Sequence, residues 1–525
     1  MLSVGALSTL RETTIDTDQY ELESLLSGRF VLSWRQMSVV GVVCALFLLI
    51  SFTPLTSHTT WSLATRGEAI LATGSLPTAD VTQSLSQGLP VHETAWLSSI
   101  SWALIARQSF EAITWATTIL ASISLITIAV SLWLRTRNSL FTGAGILWFA
   151  VFAWGSLGLG SATLLVLPLW ITLILLTLKD RWAPSIMTAI VQVALIVLWA
   201  NFDASVFVGV GFLVCVAIGN AVQLLVEHHF QSKPLLADRR FQISLITAEI
   251  AIVATLFTPL GTGLWTDLWQ NFSIMGTLLD FITPIGACWV VLFAAIGILI
   301  AKRSDNRVLV ESGAVAVFGL LALLAADMIV WLGPLAALVL IPRLQQALSI
   351  GADPVAAPSM EEPDGKPPVL RFAYSLGAVL LIWIVFALSP LSGSLLGREP
   401  RAIGNLFKQE VPLAATAYLR KNPVEGRVFA PAIWGDLLRS EYGGQADVFA
   451  TSSMKNLPQQ AKYDYNRITR GESIWQEASQ RYNIDALVVD KTTQSAMLET
   501  IREPNENWHV GFEDDRSLVL RRNGS

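Results

Sequence analysis

The stretch His58–Trp102, HTTWSLATRGEAILATGSLPTADVTQSLSQGLPVHETAWLSSISW, lies between two long apolar runs. It carries two of the chain's five histidines, His58 and His92, with Arg66 and Glu68 early in it and Asp80 and Glu93 further on. With one exception, the other loops in the first two thirds of the chain are short. Connections stay short unless they do something, so a long polar loop among short ones reads as the functional one. Within it Trp61, Leu63, Ala64, Ala69, Ile70 and Leu71 predict an amphipathic helix whose apolar stripe lies on a membrane surface.

Composition explains the runs on either side. Of 525 residues 53% are hydrophobic and only 14% charged, with a mean hydropathy of +0.54; a soluble domain carries roughly a quarter charged residues. The chain is therefore a polytopic membrane protein. Its net charge of −5 is small, and no basic run points to nucleic acid. Cys44, Cys215 and Cys288 all fall inside apolar runs and read as small core residues.

Residues 1–36 are polar and mixed in charge, too long and too acidic for the basic start of a cleavable signal, so the first apolar run, Met37–Leu55, reads as a retained anchor. After the long loop (56–111) come runs near Ala112–Leu134, Ser139–Leu157, Ser161–Leu178, Pro184–Ala200 and Ser205–Val226. Others follow near Phe241–Thr258, Pro284–Ala301, Val308–Ala326, Met328–Ile341 and Leu370–Leu391. Most approach the ~20 residues of a spanning helix. Arg35, Arg135, Arg137, Lys179, Arg181, Lys233, Arg239, Arg240, Lys302, Arg303 and Arg307 alternate with loops bare of Lys and Arg, which puts the N-terminus in the cytoplasm. Arg307 and Arg343 both lie inside only if residues 308–341 form two spans with an outer turn at Asp327. That gives about eleven spans in 37–391 and places the long loop and the C-terminal residues on the non-cytoplasmic side, the periplasm of a bacterium with its protein in the inner membrane.

Beyond a Pro- and Gly-rich linker at 351–368 the composition turns soluble, and 392–525 reads as a non-cytoplasmic α/β domain. Arg427–Ala430, Asp485–Val489, Ala446–Ala450, His509–Phe512 and Leu518–Leu520 have strand character; Ser473–Tyr482 and Thr492–Ile501 read as helices.

Several short motifs recur in order along the chain. They are Trp61 and Leu63 with Gly67 one place late against the pattern given below, then Gly74-Ser75-Leu76-Pro77-Thr78-Ala79-Asp80, then Trp96-Leu97. Trp199-Ala200-Asn201, Trp434-Gly435-Asp436-Leu437-Leu438 and Tyr482-Asn483-Ile484-Asp485-Ala486-Leu487 follow. This series resembles bacterial membrane glycosyltransferases of the GT-C fold, and a related uncharacterised group whose outer loop reads D-x-W-W-H-L-x-x-G, G-x-I-P-x-x-D and W-L. Departures are clear. His58 stands where the group has its leading acid, Thr60 at its first tryptophan, Ser62 at its histidine, and Phe449-Ala450-Thr451-Ser452 where its strand ends in Asp-Gly-Arg.

The resemblance implies transfer of a sugar from a polyprenyl phosphate on the outer face, with membrane lipid around it. Such chemistry needs a carboxylate to take the acceptor's proton, a cation or divalent metal for the leaving phosphate, and an apolar groove. Asp80 and Glu93 are the candidate catalytic acids, and His58, Trp61, Arg66, Glu68 and His92 the candidate substrate contacts. The metal requirement is unknown; neither loop histidine stands at a recognised metal spacing. Singly, each residue also has an ordinary explanation, Asp80 capping a turn after Pro77 and Glu93 facing solvent. The alternative is a membrane scaffold or assembly factor that keeps the fold and displays its α/β domain.

Overall fold

The computed structural model describes residues 32–54, 58–80, 83–86, 88–158, 160–179, 185–229, 237–271, 297, 309–348, 368–397, 401, 406, 411–441, 447–502 and 507–524. The expected span at 284–301 (residue 297 apart), the linker at 351–367, Cys288 and the basic residues Arg181, Lys233, Lys302, Arg303 and Arg307 lie outside them.

Helices account for the first three quarters of the chain: α1 (Trp34–Phe52), α2 (His58–Thr73), α3 (Trp96–Ala106), α4 (Phe110–Thr136), α5 (Ser139–Leu157), α6 (Ala162–Lys179), α7 (Ile186–Phe202) and α8 (Val206–Glu227). Then come α9 (Arg239–Ala254), α10 (Gly263–Asn271), α11 (Leu309–Leu324), α12 (Ile329–Leu348), α13 (Pro368–Leu388) and the short α14 (Pro390–Leu395). Their starts are written in the sequence. Ser33 and Gln36 form a reciprocal capping box on α1, and Ser109, Asn138, Ser185 and Asp238 cap α4, α5, α7 and α9 by accepting from free backbone N–H groups. Among the described residues six helices, α1, α4, α5, α6, α8 and α12, are long and apolar enough to cross a membrane, and α7 and the segments Gly313–Leu324 of α11 and Ala373–Leu388 of α13 are shorter apolar helical stretches. The chain is an integral membrane protein.

Residues 309–348 form two helices, with Asp327 in a 3-10 turn between them. Arg343 bonds Glu311 at 2.5 Å, so the far ends of this hairpin lie side by side. The second helix is longer than its apolar run, continuing through Pro342 to Leu348. At the centre of the bundle Trp170, Trp199, Trp331, Phe212 and Phe318 pack with ring centroids 5.1–6.4 Å apart, and the Trp170 indole donates to the Trp331 carbonyl at 2.9 Å. Edge and offset contacts of this kind add to area burial. Arg35, Arg135, Lys179, Arg240 and Arg343 stand at helix ends away from the 58–102 stretch, while Arg107, which closes α3, stands beside it and pairs with Glu68. The two ends of the bundle are called here the loop face and the far face.

The C-terminal part comprises α15 (Leu413–Lys421), β1 (Arg427–Phe429), α16 (Ala432–Glu441), α17 (Gln459–Thr469), α18 (Trp475–Arg481), β2 (Ile484–Asp490), α19 (Ser495–Ile501), β3 (Trp508–Glu513) and β4 (Ser517–Arg522). Its sheet has the order β1-β2-β4-β3, parallel between β1 and β2 and antiparallel elsewhere. All seven residues of β2 are buried, because helices cover both faces, as a continuous apolar strand requires. The strand expected at 446–450 is instead a single parallel bridge between Val448 and Val428.

The stripe of α2 departs from expectation. Trp61, Leu63 and Ala64 do not lie on a membrane surface; all three are buried in protein, Trp61 and Leu63 in a cluster with Trp102 of α3, Ile113 of α4 and Leu437 of α16. The stripe reads the same in sequence whichever apolar partner covers it.

Candidate functional site

The loop face is built around a helix crossing. A Cβ on Gly67 of α2 would stand 2.0 Å from the Ser99 carbonyl oxygen of α3, an approach that only glycine allows. The crossing sets Arg66 beside Glu93, three residues before α3 begins. The Arg66 Nη1 donates to both Glu93 carboxylate oxygens at 3.3 and 3.2 Å. Its Nη2 and Nε donate to the Ser62 hydroxyl and carbonyl at 3.0 and 3.2 Å, and Ser99 Oγ donates to Glu93 at 3.3 Å. Glu93 is 1% exposed, while the Arg66 side chain keeps 28% of its surface free. The pair therefore presents a guanidinium outward and a carboxylate inward.

α3 is anchored from below. Trp96 Nε1 donates to Asn201 at 3.1 Å, and Asn201 in turn donates to the Phe257 carbonyl at 3.0 Å. Ser98 donates to the Phe202 carbonyl at 2.6 Å, and Trp102 Nε1 to that of Ser161 at 3.3 Å. The Trp-x-Asn step thus joins the loop to the ends of two apolar helices. Next to it sits Asp203, whose carboxyl burial pushes above the ordinary carboxylate range while Ser205 pulls it back by hydrogen bonding. Nothing in the local sequence singles Asp203 out.

Asp80 keeps different company. Residues 78–80 pair antiparallel with 89–91 around an Ala79–Pro90 bridge, which makes the two segments the arms of a hairpin, Asp80 N–H donating to the Leu89 carbonyl at 2.9 Å and Val91 N–H to that of Thr78 at 3.2 Å. The Asp80 carboxylate is 3% exposed and accepts from Ser86 Oγ at 2.7 Å and from Asn456 Nδ2, on the C-terminal part, at 3.3 Å. Gln83 Nε2 donates to the Ser453 carbonyl at 3.1 Å. Ser84 donates to Asp447 at 2.5 Å and accepts from Arg427 Nε at 2.9 Å, while Arg427 also pairs with Asp447 at 2.8 Å. On α16, burial draws the Arg439 guanidinium pKa down, and the charges of Asp80, Asp447 and Asp436 oppose that shift. Asp80 is thus a docking residue between the loop and the C-terminal part.

The remaining loop residues fall around the crossing. Trp61 meets Phe110 edge-on at 5.1 Å in the buried cluster. Glu68 and Arg107 form an exposed two-bonded pair at 2.7 and 2.6 Å, and His58 opens α2. His92 is exposed, its ring against Gly263 at the start of α10, where a Cβ would lie 3.5 Å from Nδ1. The structure brings Arg66 and Glu93 together, leaves His92, the residue before Glu93, against Gly263, and sends Asp80 and Glu68 elsewhere. Among the described residues no three His, Cys, Asp or Glu side chains stand close enough to share a metal ion.

The Trp434–Leu438 motif is a packing device. Gly435 brings α16 onto the Ala450 carbonyl, 2.0 Å from where its Cβ would be, and Asp436 accepts from the Ser452 N–H at 2.9 Å. Trp434 and Leu438 enter the core beneath the sheet, and Leu437 points the other way, into the cluster around Trp61.

By sequence the chain matches no family profile and no curated protein. By structure it superposes on arabinofuranosyltransferase AftD from Mycobacteria with a TM-score of 0.50 at 14% identity, over 94% of this chain and 42% of that one. The fold is GT-C-like. This chain spans less than half the length of AftD. The GT-C proteins ArnT from Cupriavidus metallidurans bound to undecaprenyl phosphate (TM-score 0.48, 10% identity, 93% of this chain and 98% of that one) and the Archaeoglobus fulgidus oligosaccharyltransferase (0.48, 12%, 85% and 68%) are also similar. A GT-C-like bundle accounts for a long loop held at one face, where α2 and α3 pack across the helix ends.

Proposed function

We propose that this protein is a membrane glycosyltransferase taking its sugar from a polyprenyl phosphate, with the loop face and residues 392–525 outside the cytoplasm. The observation that carries the reading is the Arg66–Glu93 pair, a half-open guanidinium over a fully buried carboxylate at the α2–α3 crossing. In support, AftD, with which it shares a fold, is an arabinofuranosyltransferase, and Arg35, Arg135, Lys179, Arg240 and Arg343 lie at helix ends on the far face, as cytoplasmic ends do.

In the proposed step the donor phosphate meets the free side of Arg66, with His92 beside it. The guanidinium then shares its hydrogen bonds between phosphate and Glu93, and the carboxylate becomes able to accept a proton. The acceptor hydroxyl oxygen bonds to the anomeric carbon and loses its proton to Glu93. The bond from that carbon to the phosphate oxygen breaks, and the phosphate leaves with the electron pair, its charge steadied by Arg66. Asp80 acts through the hairpin that leads into Glu93, as a positioning residue.

The test is turnover of the purified full chain against a panel of polyprenyl-phosphate sugars, for the wild type, Glu93→Gln and Asp80→Asn. The expected result is turnover of one donor, abolished in Glu93→Gln and reduced in Asp80→Asn. A second reading, a scaffold or assembly factor, is favoured by His58 standing where the resembling group has its acid and by both loop acids being engaged internally. No turnover of any donor, with Glu93→Gln still complementing a deletion strain, would establish that reading instead.

A further inference from the structure

A cavity of about 570 Å³ opens between α1, α4 and α13, within the roughly 300–1,000 Å³ that ligand sites span. Its walls are helix faces. Gln36, Val43 and Phe47 come from α1, and Ile126, Val130 and Leu134 from α4, at the spacing that puts side chains on one side of a helix. The three from α4 remain more than half exposed. Ile382 and Phe386 of α13 form the third wall. Two contacts hold that wall in place. Leu32 N–H donates to Ser375 Oγ at 2.8 Å, and a Cβ on Gly377 would stand 3.1 Å from Met37 Cε, so the glycine lets α13 close on the start of α1.

The groove has the depth of one leaflet. At about 1.5 Å per residue, Gln36 to Phe47 rises about 17 Å and Ser122 to Leu134 about 18 Å, against the ~15 Å that one leaflet gives to a hydrocarbon core of about 30 Å. Its lower end, at Gln36 and Leu134, lies at the far face. Arg35 precedes the first of these and Arg137 follows the second by three residues, both exposed. Arg135 is turned elsewhere, onto the Leu338 carbonyl of α12 at 3.1 Å. Trp34, exposed, and Trp133, which lines the groove, stand at the same end, as aromatic rings do at the headgroup boundary. We infer that this groove holds one acyl chain of an anionic glycerophospholipid from the far-face leaflet, its phosphate met by Arg35 and Arg137. The apolar walls take the chain, and the two guanidinium groups select the charge of the headgroup. The site lies away from Arg66 and Glu93 and does not depend on sugar transfer.

The experiment uses the full chain in phosphatidylcholine nanodiscs carrying a trace of phosphatidylglycerol or phosphatidylcholine with identical acyl chains and a mid-chain diazirine. On irradiation phosphatidylglycerol should label residues 36–47 and 122–134 about tenfold or more over phosphatidylcholine, the effect of two basic side chains at the surface. Arg35→Gln combined with Arg137→Gln should remove that preference, and Val130→Trp, which fills the groove, should remove the labelling itself. If Val130→Trp does not fold, the arginine pair, whose side chains are exposed, carries the test. Equal labelling by the two lipids, or a preference unchanged in the double variant, overturns the inference. So does equal labelling by a diazirine polyprenyl phosphate, which would make the groove the sugar donor's own. Absence of label from both segments overturns it too, whether the groove stands empty or is filled by residues 1–31.

Discussion

Glu93 and Asp80 are both buried carboxylates in one loop, and their neighbours give them different work. Glu93 rests on Arg66 and Ser99; Asp80 rests on Ser86 and Asn456. Removing the Glu93 charge deprives a partly buried guanidinium of its partner, at a cost of about 1–3 kcal/mol. Glu93→Gln should therefore lower the melting temperature of the detergent-purified protein, and Arg66→Gln combined with it should restore part of the loss. A double mutant no better than the single one would mean that the pair is not coupled. Gly67 is the other sensitive residue. Gly67→Ala places a methyl group within the Ser99 carbonyl, and overpacking costs about 1–3 kcal/mol where the backbone can yield. It should lose more stability than Gly41→Ala, whose Cβ would meet nothing within 4 Å.

Among the elements, the loop hairpin and α16 join two parts of the chain that sequence reading treated as separate. Their spacing made the strands and most helices legible: 427–429, 484–490, 508–513 and 517–522 fall where alternation and β-branched runs put them. The joints were not legible. Ser84, Arg427 and Asp447 stand more than 340 residues apart at the extremes, and no periodicity connects a serine in one loop with an arginine in another. For the same reason the stripe of α2 was assigned to lipid, since Leu437 and lipid are equally apolar. Arg427→Ala should raise amide hydrogen exchange in residues 78–93 while leaving the central helices α5 and α6 unchanged; unaltered exchange in the hairpin would mean the contact carries no weight. A fragment of residues 397–525 has cores of its own on both sides of the sheet, yet it leaves Leu437 uncovered. It should fold and bind a hydrophobic dye, and Leu437→Ser should abolish the dye signal.

For the whole molecule, composition alone established a membrane protein, and the order of short motifs indicated a GT-C-like fold that superposition bears out. Sidedness rests on charge. A reporter active only in the cytoplasm, fused after Ser525, should stay silent, and strong signal would place the sheet and the loop inside. The docking of Asp80, Gln83 and Ser84 onto Asn456, Ser453 and Arg427 also has a temporal meaning. A chain made from its N-terminus inserts α1 to α13 before the partner of the hairpin has left the ribosome. The helices can assemble early, with Arg66 and Glu93 already in the membrane protein, but the loop that carries Glu93 acquires its final shape last. Nascent chains stalled before residue 427 should be inserted yet protease-sensitive between 74 and 93, and release of the last hundred residues should close that site.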